Sequence, residues 1–369
     1  MQRVLFIETS LSINGGQKMS LLISDNLRMM EKIDVVWLIP GPGELDRYLQ
    51  EKGYKVYYLG NVSLEYGKKH LSDVFSYLRM SKRCIKTIKQ IIKNESIDLI
   101  YAAGPVSLPW AAIAGSQKKK PVIWHLHHNF EDKITLKLLN FTSGFKSVRK
   151  IISVSECVAS QIKRRKKVFV LYNPVDFYKF SSGSIVNLND DIICYKRNSI
   201  NLMHIGLITP TKRQDISINI TNHLNHNGLK TNLWLIGEID KNNYHYFDML
   251  NKQANQNVHF ISKQNNIEDW LKLADLVIIP SIEGFPLVGL ESLCAGVPLL
   301  TIDKGGAIEL CEASGCGEVF KENEYDGLDT KVKHLLGNQE AKEKGIKFAS
   351  NCNIGNYMNA IIRTFNEKA

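Results

Sequence analysis

The chain has 369 residues, of which 44% are hydrophobic, 9% aromatic and 23% charged, proportions that exclude a disordered, collagen-like or disulfide-stapled protein. Its formal net charge of +10 is unevenly placed, with +13 on residues 1–177 and −3 on the remainder. No apolar run approaches the ~20 residues a membrane span needs, and the length suits two domains, each with its own core.

In chain order, Met1–Thr9 reads as a buried first strand and not a signal peptide. Its apolar part is only Val4–Ile7, and Glu8 closes it without a small-residue cleavage site. Further strands are predicted at Val35–Ile39, Lys55–Leu59, Asp98–Tyr101, Val122–Leu126, Lys150–Val154 and Val168–Leu171, with helical periodicity over Gln17–Met30 and Tyr77–Lys93 between them. Strand–helix alternation of this kind implies a parallel sheet covered on both faces. Phe177–Ser199 breaks the pattern with Ser, Asn and Asp and suits a linker. The alternation restarts at Leu202–Ile205, Thr231–Ile236, Val258–Ile261, Leu276–Ile279 and Val297–Ile302, followed by a helical tail from about Asp329. The expected plan is an α/β chain of two doubly wound domains: 1–177, a linker 178–199, and 200–352. An amphipathic segment, 353–369, is expected to return to the first domain. Ligands of such sheets bind beyond the carboxyl ends of the strands, so the default site is the cleft between the domains.

Seven cysteines (Cys84, Cys157, Cys194, Cys294, Cys311, Cys316, Cys352) form no C-x-x-C, which argues for a reducing cytoplasm and against structural zinc. The surplus of cations lies in Lys82, Arg83, Lys86, Lys89 and Lys93, in Lys118–Lys120 and in Lys163–Lys167. These are either solvated faces or a surface for phosphates.

The stretch Asp275–Gly306 carries most of the chemistry. A buried strand ends at Pro280, a short loop presents Glu283, and a helix begins near Leu287 with Glu291 about one turn inside. A helix N-terminus offers unpaired N–H groups and partial positive charge, a seat for a diphosphate. Carboxylates on either side suit the vicinal hydroxyls of sugars. An E-x7-E spacing recurs by chance, and its context gives it meaning: Pro280-Ser281, Glu283-Gly284-Phe285-Pro286-Leu287-Val288, then Gly296, Pro298, Gly306 and Glu309. This arrangement resembles the retaining glycosyltransferases of family 4, which have the GT-B fold; Ser292 stands where an alanine is usual.

The resemblance extends over nearly the whole chain. His204–Asp215 looks like the family's strand and turn that places a cation at the donor diphosphate, here Lys212, with Arg213 sharing the role and Leu207 at the position of a frequent arginine. Asn14-Gly15-Gly16-Gln17 resembles a glycine loop that lines the cleft. Pro121–Phe130 resembles a stretch that places His127 as the cleft histidine, with His125 where the family has threonine. Three nearby histidines also suit a metal, but His125 and His127 point the same way only if the strand persists; no metal is expected. Asn173-Pro174-Val175-Asp176 resembles the segment ending the family's first domain. No G-x-G-x-x-G follows the first strand and no P-loop occurs, which removes support for nicotinamide cofactors and NTP hydrolysis.

The resemblance implies a retaining, metal-independent transferase that needs no cofactor. Its donor would be a nucleotide-diphosphate sugar, UDP favoured over GDP, and its acceptor a glycan or lipid carrier for bacterial surface polysaccharide. Lys212, Arg213 and the amides of Gly284–Val288 would stabilise the leaving diphosphate. Glu283 would hold the donor sugar, Glu291 the ribose, and His127 the donor sugar or acceptor. The basic first domain suits a cytoplasmic protein bound peripherally to an anionic membrane, with no nucleic-acid partner. An epimerase of the same fold and a non-catalytic nucleotide-sugar-binding regulator remain alternatives.

Overall fold

The computed structural model describes residues 2–31, 33–62, 71–130, 132–185, 188, 192 and 199–367. The chain divides into two compact units, Met1–Asn173 with Tyr357–Ala369, and Pro174–Asn356. The first begins with β1 (Arg3–Ile7), α1 (Gly15–Met30), β2 (Asp34–Ile39), α2 (Glu44–Glu51), β3 (Lys55–Tyr58), α3 (Leu71–Asn94) and β4 (Leu99–Ala102). It continues through α4 (Leu108–Lys118), β5 (Val122–Leu126), α5 (Lys133–Ser143), β6 (Val148–Ser153), α6 (Glu156–Ser160) and β7 (Val168–Val170). The strands form a parallel sheet in the order β3-β2-β1-β4-β5-β6-β7. Continuous apolar runs make these central strands: Val4, Leu5, Phe6 and Ile7 have no exposure at all, as a strand covered on both faces requires.

The second unit opens with α7 (Phe177–Ser181) and runs through β8 (Ile200–Ile205), α8 (Gln214–His226), β9 (Thr231–Ile236), α9 (Tyr244–Gln253), β10 (Val258–Ile261), α10 (Ile267–Leu273) and β11 (Leu276–Ile279). Then follow α11 (Leu287–Cys294), β12 (Leu299–Ile302), α12 (Gly306–Ser314), β13 (Gly317–Phe320), α13 (Leu328–Gly337) and α14 (Gln339–Asn351). Its parallel sheet has the order β10-β9-β8-β11-β12-β13. Leu202, Leu233, Leu276, Ile278 and Leu300 from the strands pack with Ile216, Ile220 and Leu224 of α8 in one core cluster. In each sheet the strand order reverses beside the first strand of the unit, and this switch point is where such folds hold ligands.

The last helix, α15 (Ile354–Asn366), starts in the second unit and ends in the first. There Phe365 stacks near Phe6 and Tyr101, and Arg149 donates to the carbonyls of Thr364 and Glu367. Parts of the expected linker (186–187, 189–191 and 193–198, including Cys194) lie outside the described residues. Its start is helical: Asp176 caps α7 by accepting from the Lys179 N–H, and Val175 bonds to the Cys352 carbonyl. Val175 and Asp176 therefore anchor the second unit's own packing, and Asn173 is the last residue of the first unit before the chain crosses.

Candidate active site

In the second unit, the loops that leave β8 and β11 meet at the switch point. Lys212 follows β8 on a single turn of 3-10 helix, and Glu283 follows β11. Lys212 Nζ donates to Glu283 Oε1 at 2.5 Å, and Ser281 Oγ donates to the same oxygen at 2.7 Å. Both partners are half-buried, with side chains 35% and 23% exposed. Burial pushes the Glu283 carboxyl up, but the Lys212 charge and the bonds from Lys212 and Ser281 outweigh it and hold the group below its ordinary value. Beneath the pair lies His204, whose Nδ1 is 2.9 Å from Ser217 Oγ. Burial, aided by the Lys212 charge, holds His204 down to about 3, so it is a neutral ring.

The glycine pair at 305–306 explains the placement of Glu283. Gly306 N–H donates to the Glu283 carbonyl at 2.7 Å. Gly305 has φ +80°, and a Cβ there would fall 2.7 Å from that same carbonyl oxygen. Only glycine suits both the backbone angle and the close approach. Beyond Glu283, the buried Gly284, Phe285 and Pro286 lead into α11. Pro286 supplies no side-chain cap, so Leu287 and Val288 open the helix with backbone donors characteristic of an anion-accepting end. Glu291 lies farther along α11 and is half-buried.

Arg213 turns elsewhere. It stands in a left-handed conformation at the start of α8 and pairs with Glu322 at 2.6 Å and Asp215 at 3.3 Å. Asp215 in turn accepts from Tyr246 Oη at 2.8 Å. Leu207, at the frequent arginine position, is 42% exposed. Lys212 is thus the cation beside Glu283.

In the first unit, Gly16 at the start of α1 packs against the ring of His127. β5 stops at Leu126, yet the rings of His125 and His127 lie 3.9 Å apart. His125 is fully buried and its Nδ1 is 2.6 Å from Tyr101 Oη. Near Tyr101, Glu8 accepts from Ser20 Oγ at 2.6 Å and from Gln17 Nε2 at 3.0 Å. Burial holds His125 down to about 3 and pushes His127 well below its ordinary value, with the neighbouring histidines adding to the effect. Both rings are neutral, and the Nε2 atoms of both are buried without a partner among the described residues. No cluster of three or more His, Cys, Asp or Glu suited to a metal occurs among the described residues.

Sequence reasoning named Lys212, Glu283, Glu291, Gly16 and His127, but gave no role to Ser281, His204, Asp215, Glu322, Glu8, Ser20 or Tyr101. The signal for Ser281 was present in its motif. Asp215 lay two residues from Arg213, and the others become neighbours only through the fold.

Two family models match this chain in succession: "Glycosyltransferase Family 4" over residues 13–178 and "Glycosyl transferases group 1" over residues 196–351. The chain belongs to these glycosyltransferases. It is 27% identical over 168 residues to the O-antigen biosynthesis glycosyltransferase WbnH of Escherichia coli, a match covering 45% of this chain and 46% of the relative. The matched stretch therefore spans about half the length of that relative. The N-acetyl-alpha-D-glucosaminyl L-malate synthase of Bacillus anthracis is 20% identical over 323 residues, 80% of this chain and 84% of the relative. Among solved structures, Anabaena HepE in complex with UDP is similar with a TM-score of 0.80 at 19% identity over 99% of both chains. A lipopolysaccharide outer core galactosyltransferase, WaaB, is similar with a TM-score of 0.72 at 14% identity over 99% of both chains. These likenesses identify the GT-B fold of this glycosyltransferase.

Proposed function

We propose that this glycosyltransferase moves a sugar, with retention and without a metal, from a UDP-sugar to a glycan or lipid-linked acceptor in surface-polysaccharide assembly. The observation that carries the reading is the Lys212–Glu283 pair, fixed where the strand order reverses and followed directly by the N-terminus of α11. The O-antigen relative and the UDP-bound structural neighbour support the class of acceptor and the choice of nucleotide.

In this reading the bond from the anomeric carbon to the diphosphate oxygen breaks, and the nucleoside diphosphate leaves with the electron pair. The acceptor oxygen bonds to the same face, and its proton passes to the departing phosphate. Lys212 and the amides of Gly284–Val288 meet the negative charge as it develops, the largest contribution expected of such a site. Glu283 binds sugar hydroxyls, Glu291 the ribose, and neutral His127 positions the donor sugar or acceptor. Arg213, paired with Glu322 and Asp215, steadies the turn that carries Lys212 instead of meeting the phosphate. No cofactor other than the donor takes part. Residues 1–177, at +13, favour a peripheral position on an anionic membrane inside the cell; no helix among the described residues is long and apolar enough to cross one.

A panel of UDP- and GDP-sugars with oligosaccharide and lipid-linked acceptors tests this. A glycosidic product with the donor's anomeric configuration, formed equally with a chelator present, is expected. Inversion, chelator sensitivity or epimerisation of the donor without an acceptor would each overturn it.

A further inference from the structure

Helix α5 has an outward face unlike a solvated one. Lys133, Ile134, Lys137 and Phe141 are its exposed positions, and spacings of three and four residues put Ile134, Lys137 and Phe141 on one stripe. Phe141 is 69% exposed and Ile134 46%, and the Phe141 ring meets Phe145 edge-on at 5.6 Å. The opposite face is anchored, with Leu139, Thr142 and Ser143 buried.

The basic run 163–167 is fastened to this helix. Lys163 N–H donates to Asn140 Oδ1 at 2.7 Å, and Lys167 Nζ donates to the carbonyls of Ser143 and Phe145 at 3.0 and 2.7 Å. The Arg164 guanidinium lies over Gly144. Lys137, Lys163, Arg164 and Lys166 are exposed and make no ion pair among the described residues, whereas Arg165 is engaged by Glu156. Exposed apolar side chains framed by unpaired cations are the mark of a helix that lies in a membrane interface: the apolar groups enter the headgroup boundary while the cations meet lipid phosphates. The cations of α3 have one exposed apolar neighbour, Leu78, and no exposed aromatic ring among the described side chains, so that helix offers less to the headgroup boundary. A nucleic acid would use the charges but not Ile134.

We infer that α5 and residues 163–167 form the surface by which the chain docks on an anionic lipid bilayer. Phe141 and Ile134 enter the headgroup boundary, and Lys137, Lys163, Arg164 and Lys166 bind its phosphates. The surface is tied to the His127 loop. Gln161 accepts from the Phe130 N–H at 2.6 Å and donates to the His128 carbonyl at 3.1 Å, just before the basic run. The inference rests on the membrane position proposed above and names its surface, and docking there would bring lipid-linked acceptors to that loop.

The test is co-sedimentation of the full chain with phosphatidylcholine vesicles, with or without phosphatidylglycerol. Binding is expected only with phosphatidylglycerol and should fall as salt rises. Replacing three cations (Lys137→Gln, Arg164→Gln, Lys166→Gln) should weaken it about 100-fold. Phe141→Ser should weaken it about tenfold, and Phe141→Leu should largely restore it. The α3 set Lys82→Gln, Lys86→Gln, Lys93→Gln should bind as the parent does. All the substituted side chains are exposed, so an unchanged melting curve accompanies each variant. Equal binding to phosphatidylcholine alone, indifference to the α5 substitutions, loss in the α3 set, or binding to RNA in place of vesicles would each overturn the inference. Donor turnover is read separately on a soluble acceptor: failed docking leaves the donor chemistry standing, and failed turnover leaves docking standing.

Discussion

Glu283→Gln should tighten binding of free UDP while slowing transfer, opposite effects from one substitution. Lys212 bonds to Glu283 at 2.5 Å, so an incoming diphosphate must share that ammonium with a carboxylate and face its repulsion. Two unit charges about 4 Å apart attract by about 4 kcal/mol at an effective dielectric near 20. With both side chains partly exposed, the smaller range of a charge-assisted hydrogen bond applies, about 1.5–3 kcal/mol. If a diphosphate recovers about half of that when the charge is removed, UDP should bind about 4- to 13-fold tighter. Glutamine keeps the size of the side chain but loses its charge-assisted bonds to sugar hydroxyls, so transfer should fall about 10- to 100-fold. Isothermal titration with UDP and a radiolabelled transfer assay read the two effects. UDP binding that is unchanged or weaker in the variant would refute the competition for Lys212.

Three further outcomes are expected. Lys212→Ala should weaken UDP far more than uridine and lower turnover with it; equal losses for both ligands, seen by titration, would remove Lys212 from the phosphate. Gly305→Ala should destabilise the second unit by about 1–3 kcal/mol, because alanine is strained at φ +80° and its Cβ would strike the Glu283 carbonyl; an unchanged urea midpoint would contradict this. The third concerns pH. The unfolded chain protonates histidine near 6.5, but His125 and His204 resist protonation until about 3. Their stabilising effect is therefore complete above about pH 6.5 and is lost as pH falls toward 3, by up to about 1.4 kcal/mol per unit for each ring. Urea unfolding across that range should show a shallower slope in His125→Gln and His204→Gln than in the parent.

Much of the fold was legible because its central strands are short apolar runs that cannot be exposed. Val122–Leu126, Thr231–Ile236 and Leu276–Ile279 have the bounds read for them, as does the half-buried edge strand Val258–Ile261. Errors arose where pairing, not composition, sets the limit. β6 begins at Val148 because Val148 pairs with Val122, although Arg149 and Lys150 look like loop. β12 begins at Leu299, after Pro298, whose carbonyl accepts from the Val277 N–H but which has no N–H of its own to donate. β13 (Gly317–Phe320), a glycine-led edge strand, carries too weak a pattern to be seen. The candidate site divides in the same way. Glu283, Lys212 and His127 lie in recognisable stretches, but the pairing of Arg213 with Glu322, 109 residues away, leaves no trace in spacing.

The return of the chain to its first unit bears on how the protein is made. Arg149 finds its acceptor at Phe365 only 216 residues later, and Phe365, 1% exposed, belongs to the cluster around Phe6 and Tyr101. The second unit, by contrast, is one uninterrupted stretch. During translation the unit that leaves the ribosome first must wait with part of its interior missing while the unit made after it has every residue it needs. The order of completion is the reverse of the order of synthesis.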